Sequence, residues 1–283
     1  MMKRTLRVNP ATQTVKRIVS RRACRDVKGF IFLATTGRSG TLSFDEILKA
    51  VPHCVSLHEP EPIMNGEVLR RHNEGDDTLM EQVFREFKLP TIYKTAAGAH
   101  WYIESNHLFI KSFCEAAARE FGDRMQVLHI TRDRHAVARS FLKRGSIPGT
   151  KWGNEWLGNY RAPLNQIDVA DALDNDARFA HPYFKVLWYW YEIEARTLVF
   201  RARHPQIRVH DFQTESFNDA DALHALCRDI FGNYDTKIVE QMVGTRAHAS
   251  ASAPELPPGV EQIEIDEFDA LCQAQLQLLQ RQI

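Results

Sequence analysis

The sequence predicts an α/β fold, a three-layer, doubly wound and mainly parallel sheet, on three observations. Short apolar runs without alternation, such as Phe30 to Leu33 and Met125 to Thr131, read as strands buried on both faces. Segments with helical periodicity separate them, which is the pattern of parallel crossovers. At 283 residues and 44% hydrophobic, the chain can bury a large core as one domain.

Between Lys3 and Lys28 there are nine Lys or Arg residues and a single acid, Asp26, so residues 1–28 read as a basic arm, either solvated or docking to an acidic partner or lipid. The main domain is expected over 29–253. Its first strand, Phe30 to Leu33, is followed by a helix over Leu42 to Val51 and a short strand, Val55 to His58. That strand ends in His58-Glu59-Pro60-Glu61-Pro62, where the prolines force extended backbone. Gly75 to Phe87 reads as helix, Thr91 to Tyr93 and Trp101 to Ile103 as short extended pieces, and Asn106 to Phe121 as a helix. The strand Met125 to Thr131 leads into the helix Asp133 to Lys143. The polar, aromatic stretch 145–178 is long enough to be a lid or acceptor-binding loop. His181 to Arg203 is the longest helix, followed by the strand Ile207 to His210 and further helices; residues 254–283 read as a C-terminal helical extension of the same domain, a proline-rich break at Pro254 to Pro258 and then a helix.

Lys plus Arg equals Asp plus Glu at 36 each, so overall charge gives no signal for nucleic acid or a membrane surface. The five dispersed cysteines form no CxxC pair, against a disulfide framework or zinc site. With no apolar run long enough for a signal peptide or a span, the expected location is the cytoplasm.

Chemistry concentrates first at Thr36-Gly37-Arg38-Ser39-Gly40-Thr41. Glycines let the backbone approach a ligand, successive amides can converge on an anion, and a following helix turns its positive end there. Arg38 adds bidentate donors, and the hydroxyls of Ser39 and Thr41 add more. The loop lacks the lysine of a nucleotide-hydrolase P-loop. A second constellation follows the strand Met125 to Thr131: Arg132 sits at its carboxyl end and Ser140 lies eight residues on, so the two can address one phosphate. Two anion sites at the ends of two parallel strands describe a ligand with two separated phosphates.

On these residues the chain resembles the sulfotransferases that use 3′-phosphoadenosine 5′-phosphosulfate. Thr36 to Thr41 is similar to their 5′-phosphosulfate loop in its arginine form, and Arg132 with Ser140 to their 3′-phosphate pair; the likeness extends to Ile207 to Phe217. It implies a nucleotide-kinase-like α/β fold, that donor with adenosine 3′,5′-bisphosphate as product, and Arg246 closing over the 3′-phosphate. It departs in three places. Ser43 stands where the cytosolic branch has an adenine-stacking tryptophan, Arg134 where proline is common, and Ala96 follows Lys94-Thr95 where that branch has its histidine base. An alternative alignment sets Glu104-Ser105-Asn106-His107 at that strand end.

Glu59 is the expected general base: it lies 21 residues after Arg38, the offset at which the tyrosylprotein branch carries its glutamate. His58 is the alternative base, or orients the acceptor. The expected reaction is in-line sulfuryl transfer to a hydroxyl of a small molecule or carbohydrate, with Arg38 stabilising charge on the leaving group and no metal, since a sulfuryl group carries less charge than a phosphoryl group. Trp152, Trp156 and Tyr160 can stack on the acceptor or anchor a core, and Tyr93, Trp101, Asn106 and His107 are expected in the same pocket. A small-molecule or nucleoside kinase, which would need the missing lysine, and a non-catalytic nucleotide-binding module are the alternatives.

Overall fold

The computed structural model describes residues 21–40, 44–45, 48–49, 51–243 and 256–283. Among them, five strands form one parallel sheet: β1 (Gly29–Ala34), β2 (Cys54–His58), β3 (Trp101–Ser105), β4 (Met125–Thr131) and β5 (Arg208–Gln213). Their order across the sheet is β2-β3-β1-β4-β5. With β1 central, all five strands deliver their carboxyl ends to one edge, where ligands of open α/β sheets bind.

The period of two along β1 builds the layers. Phe30, Phe32 and Ala34 enter a core with helix Pro182–Arg203 and the helices before it, while Ile31 and Leu33 enter the opposite core with Phe44, Leu48 and helix Ala220–Phe231. Phe32 stacks on Phe109 at 5.1 Å between centroids, tying the central strand to the turn after β3. On the first face, helix Pro182–Arg203 is bound to β4 through His129, whose ring nitrogens lie 2.9 Å from Asp211 and 3.2 Å from Glu194. Burial opposes the charge on His129, but the two carboxylates outweigh it and raise its pKa to about 9.

The structure corrects one of the elements expected from sequence and adds detail to others. Thr91 to Tyr93 is not extended; it lies inside helix Leu89–Ala96. β-branched and aromatic residues gave the strand signal, but Leu89, Ile92, Tyr93 and Ala96 are buried at helical spacing, and packing decides. Helix Glu67–Asn73 was not anticipated at all. The stretch 145–178 carries helices Lys151–Trp156 and Ala170–Asn175 and is packed down: Ile167 and Leu173 are buried, and the Glu192 carboxylate accepts from the amides of Gln166 and Ile167. Cys24 and Val27, at the end of the basic segment, are also core residues. The C-terminal helix Gln262–Gln282 packs Phe268 against Phe179 and Phe184 and so belongs to the same core. Arg134, where the resembled family commonly has proline, donates to Asp269 of this helix at 2.8 and 2.6 Å. Among the described residues no helix is long and apolar enough to cross a membrane.

Candidate functional site

β1 ends in a loop whose backbone is turned inside out relative to an ordinary turn. Gly37, Arg38 and Gly40 all have positive φ (77°, 57° and 78°), a conformation that costs an arginine more than a glycine. A Cβ on Gly37 would also come within 3.4 Å of the His107 ring. Four consecutive carbonyls are held by side-chain donors. Tyr189 donates to Thr36 (2.8 Å), Thr36 and Ser39 to Gly37 (2.8 and 3.1 Å), Arg132 to Arg38 (2.7 Å), and Thr214 shares its proton between Ser39 and Thr131 (2.8 Å each). Among the described residues, the amides of Arg38, Ser39 and Gly40 meet no acceptor. A loop with its oxygens occupied and its N–H groups free is an anion nest. The amide of Phe44, a helical residue, bonds the Gly40 carbonyl at 3.1 Å.

Arg38 and Arg132 meet beside this nest, and Arg144 is near enough to act on Arg38. Arg38 Nε donates to Ser140 Oγ at 3.0 Å, and Arg132 bonds the loop from the end of β4. Burial, then Arg144, then Arg132 push the Arg38 pKa below its ordinary value. Among the described residues no ion pair to a carboxylate engages any of the three. A multiply charged anion fits such a cluster because it removes the mutual repulsion. Arg132 is aimed by its surroundings: Asp133 caps helix Arg134–Lys143 through the Ala136 amide (2.7 Å), and Trp190 Nε1 donates to the Arg132 carbonyl (2.9 Å). The two phosphate groups of residues predicted from sequence therefore adjoin each other. Thr41 and Arg246 lie outside the described residues.

Glu59 follows directly at the end of β2, with φ 44°. Its position is set from behind. The Glu59 amide bonds the Ser105 carbonyl (3.0 Å), buried Lys88 donates to the Pro60 carbonyl (2.8 Å) while pairing with Glu104 (2.6 Å), and Asn106 Nδ2 donates to the Ile63 carbonyl (3.1 Å). Glu59 Oε1 faces His107 Nε2 at 3.4 Å. Burial, then Lys111 and His58, hold the His107 pKa well below its ordinary value, so the ring is neutral near pH 7. His107 also stacks on Trp156 (6.1 Å, 16°), and Trp156 lies 5.8 Å from Trp152, which is 57% exposed. Gly153 lets this helix sit against Ile147, whose carbonyl oxygen would be 1.7 Å from a Cβ there. The Nδ1 of His58 is buried and meets no partner among the described residues.

Not every predicted pocket residue is here. Tyr93 is buried at the opposite end of the sheet, against Phe30 and Phe121, with its hydroxyl on Glu120. Trp101 begins β3, opposite Gly29, and packs on Phe231. The structure therefore does not bring either to Glu59 and His107: Trp101 stands at a strand start, and Tyr93, in helix Leu89–Ala96, packs on the start of β1. Asn106 is fully buried and serves the 59–63 turn, and Tyr160 is a core residue bonded to Asp174. An open cleft of about 470 Å³ in the 145–178 segment includes Tyr160, Arg161 and Asp174, but none of the three arginines, Glu59 or His107 lines it.

Sequence reasoning missed Arg144 and Lys111. Arg144 stands four residues after Ser140, a spacing that brings them to one face of the helix and its end. Lys111 interrupts the apolar run Leu108 to Phe113 at four residues from His107, the signal that was there to read.

No protein-family profile matches the chain, and no curated protein matches it. Among solved structures, the sulfotransferase domain from the curacin biosynthetic pathway is similar, with a TM-score of 0.50 and 14% sequence identity over 90% of this chain and 97% of that one. At that identity the likeness is one of fold.

Proposed function

We propose that this protein transfers a sulfuryl group from 3′-phosphoadenosine 5′-phosphosulfate to a hydroxyl of a small-molecule or carbohydrate acceptor. The observation that carries the reading is the meeting of two halves at one sheet edge: an arginine cluster around an amide nest, with no carboxylate ion pair among the described residues, and Glu59 beside it on the next loop. The donor supplies the sulfuryl group and leaves as adenosine 3′,5′-bisphosphate. Gly37 to Gly40 hold its sulfate end through backbone N–H groups, with Thr41 adding a hydroxyl. Arg132, Ser140 and Arg144 bind its 3′-phosphate, and Arg38 stabilises the charge that gathers on the leaving oxygen.

Glu59 accepts the proton of the attacking hydroxyl at a carboxylate oxygen, the other oxygen being directed by His107. His58, next to it, orients the acceptor. The indoles of Trp156 and Trp152 lead from His107 to solvent and offer a flat apolar surface for a sugar or aromatic ring. A kinase would need a lysine that residues 36–41 do not contain.

Transfer of radiolabelled sulfuryl to a panel of hydroxyl acceptors tests the reading. Wild type is expected to label at least one acceptor, and Glu59→Gln to lower its kcat by about 10²- to 10⁴-fold while still binding the bisphosphate. Undiminished transfer by Glu59→Gln would remove Glu59 as the base.

A further inference from the structure

Lys111 is a cation placed where a cation is costly. Its side chain is buried in the turn after β3, and its Nζ lies 2.9 Å from His107 Nδ1, 2.6 Å from the Trp156 carbonyl and 2.8 Å from the Tyr189 hydroxyl. The Trp156 carbonyl can only accept. Tyr189 spends its own proton on the Thr36 carbonyl at 2.8 Å, so its oxygen accepts from Lys111 as well. The third contact decides the state of His107. Glu59 as a carboxylate is acceptor-only and stands 3.4 Å from Nε2, a neighbour that favours the imidazole proton on Nε2. Nδ1 is then a lone pair, and Lys111 must donate to it. Three acceptors surround Lys111, one for each N–H of an ammonium, and they offset the burial that pulls its pKa well down.

We propose that Lys111 is a positioning residue for the reaction: it fixes His107 as the Nε2–H tautomer, and His107 in turn holds the Glu59 carboxylate beside the amide nest. The inference rests on the reading of Glu59 as the base. The same ammonium reaches the donor loop through Tyr189 and the acceptor segment through the Trp156 carbonyl, so one buried charge registers all three parts of the site. The groups facing it account for its balance. Burial and Arg196 lower the Lys111 pKa, and Glu59 opposes them; around His107 stand Lys111, His58 and Glu59.

The test is long-range proton–nitrogen NMR on protein labelled with ¹⁵N-histidine, the signal being assigned by its loss in His107→Gln. Wild type is expected to show a protonated, pyrrole-like Nε2 and an imine-like Nδ1 for His107 at neutral pH. Lys111→Met is expected to lose that preference and to reduce sulfuryl-transfer kcat by about 100-fold, the scale of a misplaced catalytic group. Its affinity for adenosine 3′,5′-bisphosphate should stay within about three-fold, since no donor contact is removed. Lys111→Gln, which retains an N–H donor, is expected to recover part of the loss. An Nδ1–H tautomer in wild type, or wild-type kcat in Lys111→Met, would overturn the inference. The wild-type spectrum needs neither variant nor substrate, so it judges Lys111 even if Lys111→Met does not fold; absence of bisphosphate binding would instead count against the sulfotransferase reading itself.

Discussion

Positive charge occupies two kinds of place in this molecule. In one, four cations have carboxylate partners: Lys88 with Glu104, His129 with Asp211 and Glu194, Arg134 with Asp269, and Arg196 with Glu192. At the carboxyl edge, Arg38, Arg132 and Arg144 crowd one another with hydroxyls and carbonyls for company. In the first region pairing offsets the cost of taking charge out of water, and the pairs hold elements in place. In the second the repulsion is left standing, a cost to the fold that an anionic ligand would relieve. In these two regions, charges that stabilise and charges that bind are separated by whether the described residues supply a carboxylate partner.

Breaking a pair should therefore be felt in stability, and breaking the cluster in binding. Lys88→Met leaves the Glu104 carboxylate buried without its cation and should lower the free energy of unfolding by about 3–5 kcal/mol, read from urea denaturation. His129 gives a pH signature of the paired region. Its folded pKa, about 9, lies above the ordinary 6.5, so its stabilisation is fully present below pH 6.5 and lost as pH rises through 9. The loss should approach ~3 kcal/mol, and His129→Gln should flatten that part of the stability curve.

The unpaired region should behave in the opposite sense. Arg132→Ala is expected to weaken adenosine 3′,5′-bisphosphate binding by about 10- to 100-fold, as for loss of a charged hydrogen bond, without a drop in the melting temperature of the free protein. Arg144→Ala, at an exposed position, should cost about five-fold, an effect that shrinks as salt is raised. A destabilised Arg132→Ala protein with unchanged affinity would erase the distinction between the two regions.

The division also explains what could be read from the chain. β1 with its loop and β4 with Arg132 were legible because each is a local pattern, an apolar run ending in residues that suit anions. A mainly parallel sheet followed from the alternation of elements, whereas the order β2-β3-β1-β4-β5, parallel throughout, is visible only in the structure. Tyr93 and Trp101 were misplaced because residue type says nothing about which end of a strand or helix faces the ligand; only register against β1 does. Lys111 was passed over for a related reason. A lysine amid Phe109, Ile110 and Phe113 acquires a role only when Tyr189, 78 positions later in sequence, and Trp156 fold onto it.

The central claim is that the arginine cluster and the amide nest form a site for a nucleotide bearing separated phosphates. Calorimetric titration of wild type and Arg38→Ala with adenosine 3′,5′-bisphosphate, and with ATP and magnesium, tests it most directly. The account predicts that the bisphosphate binds wild type, binds Arg38→Ala at least about ten-fold more weakly, and is preferred to magnesium ATP. No binding of the bisphosphate, or a preference for magnesium ATP, would contradict it.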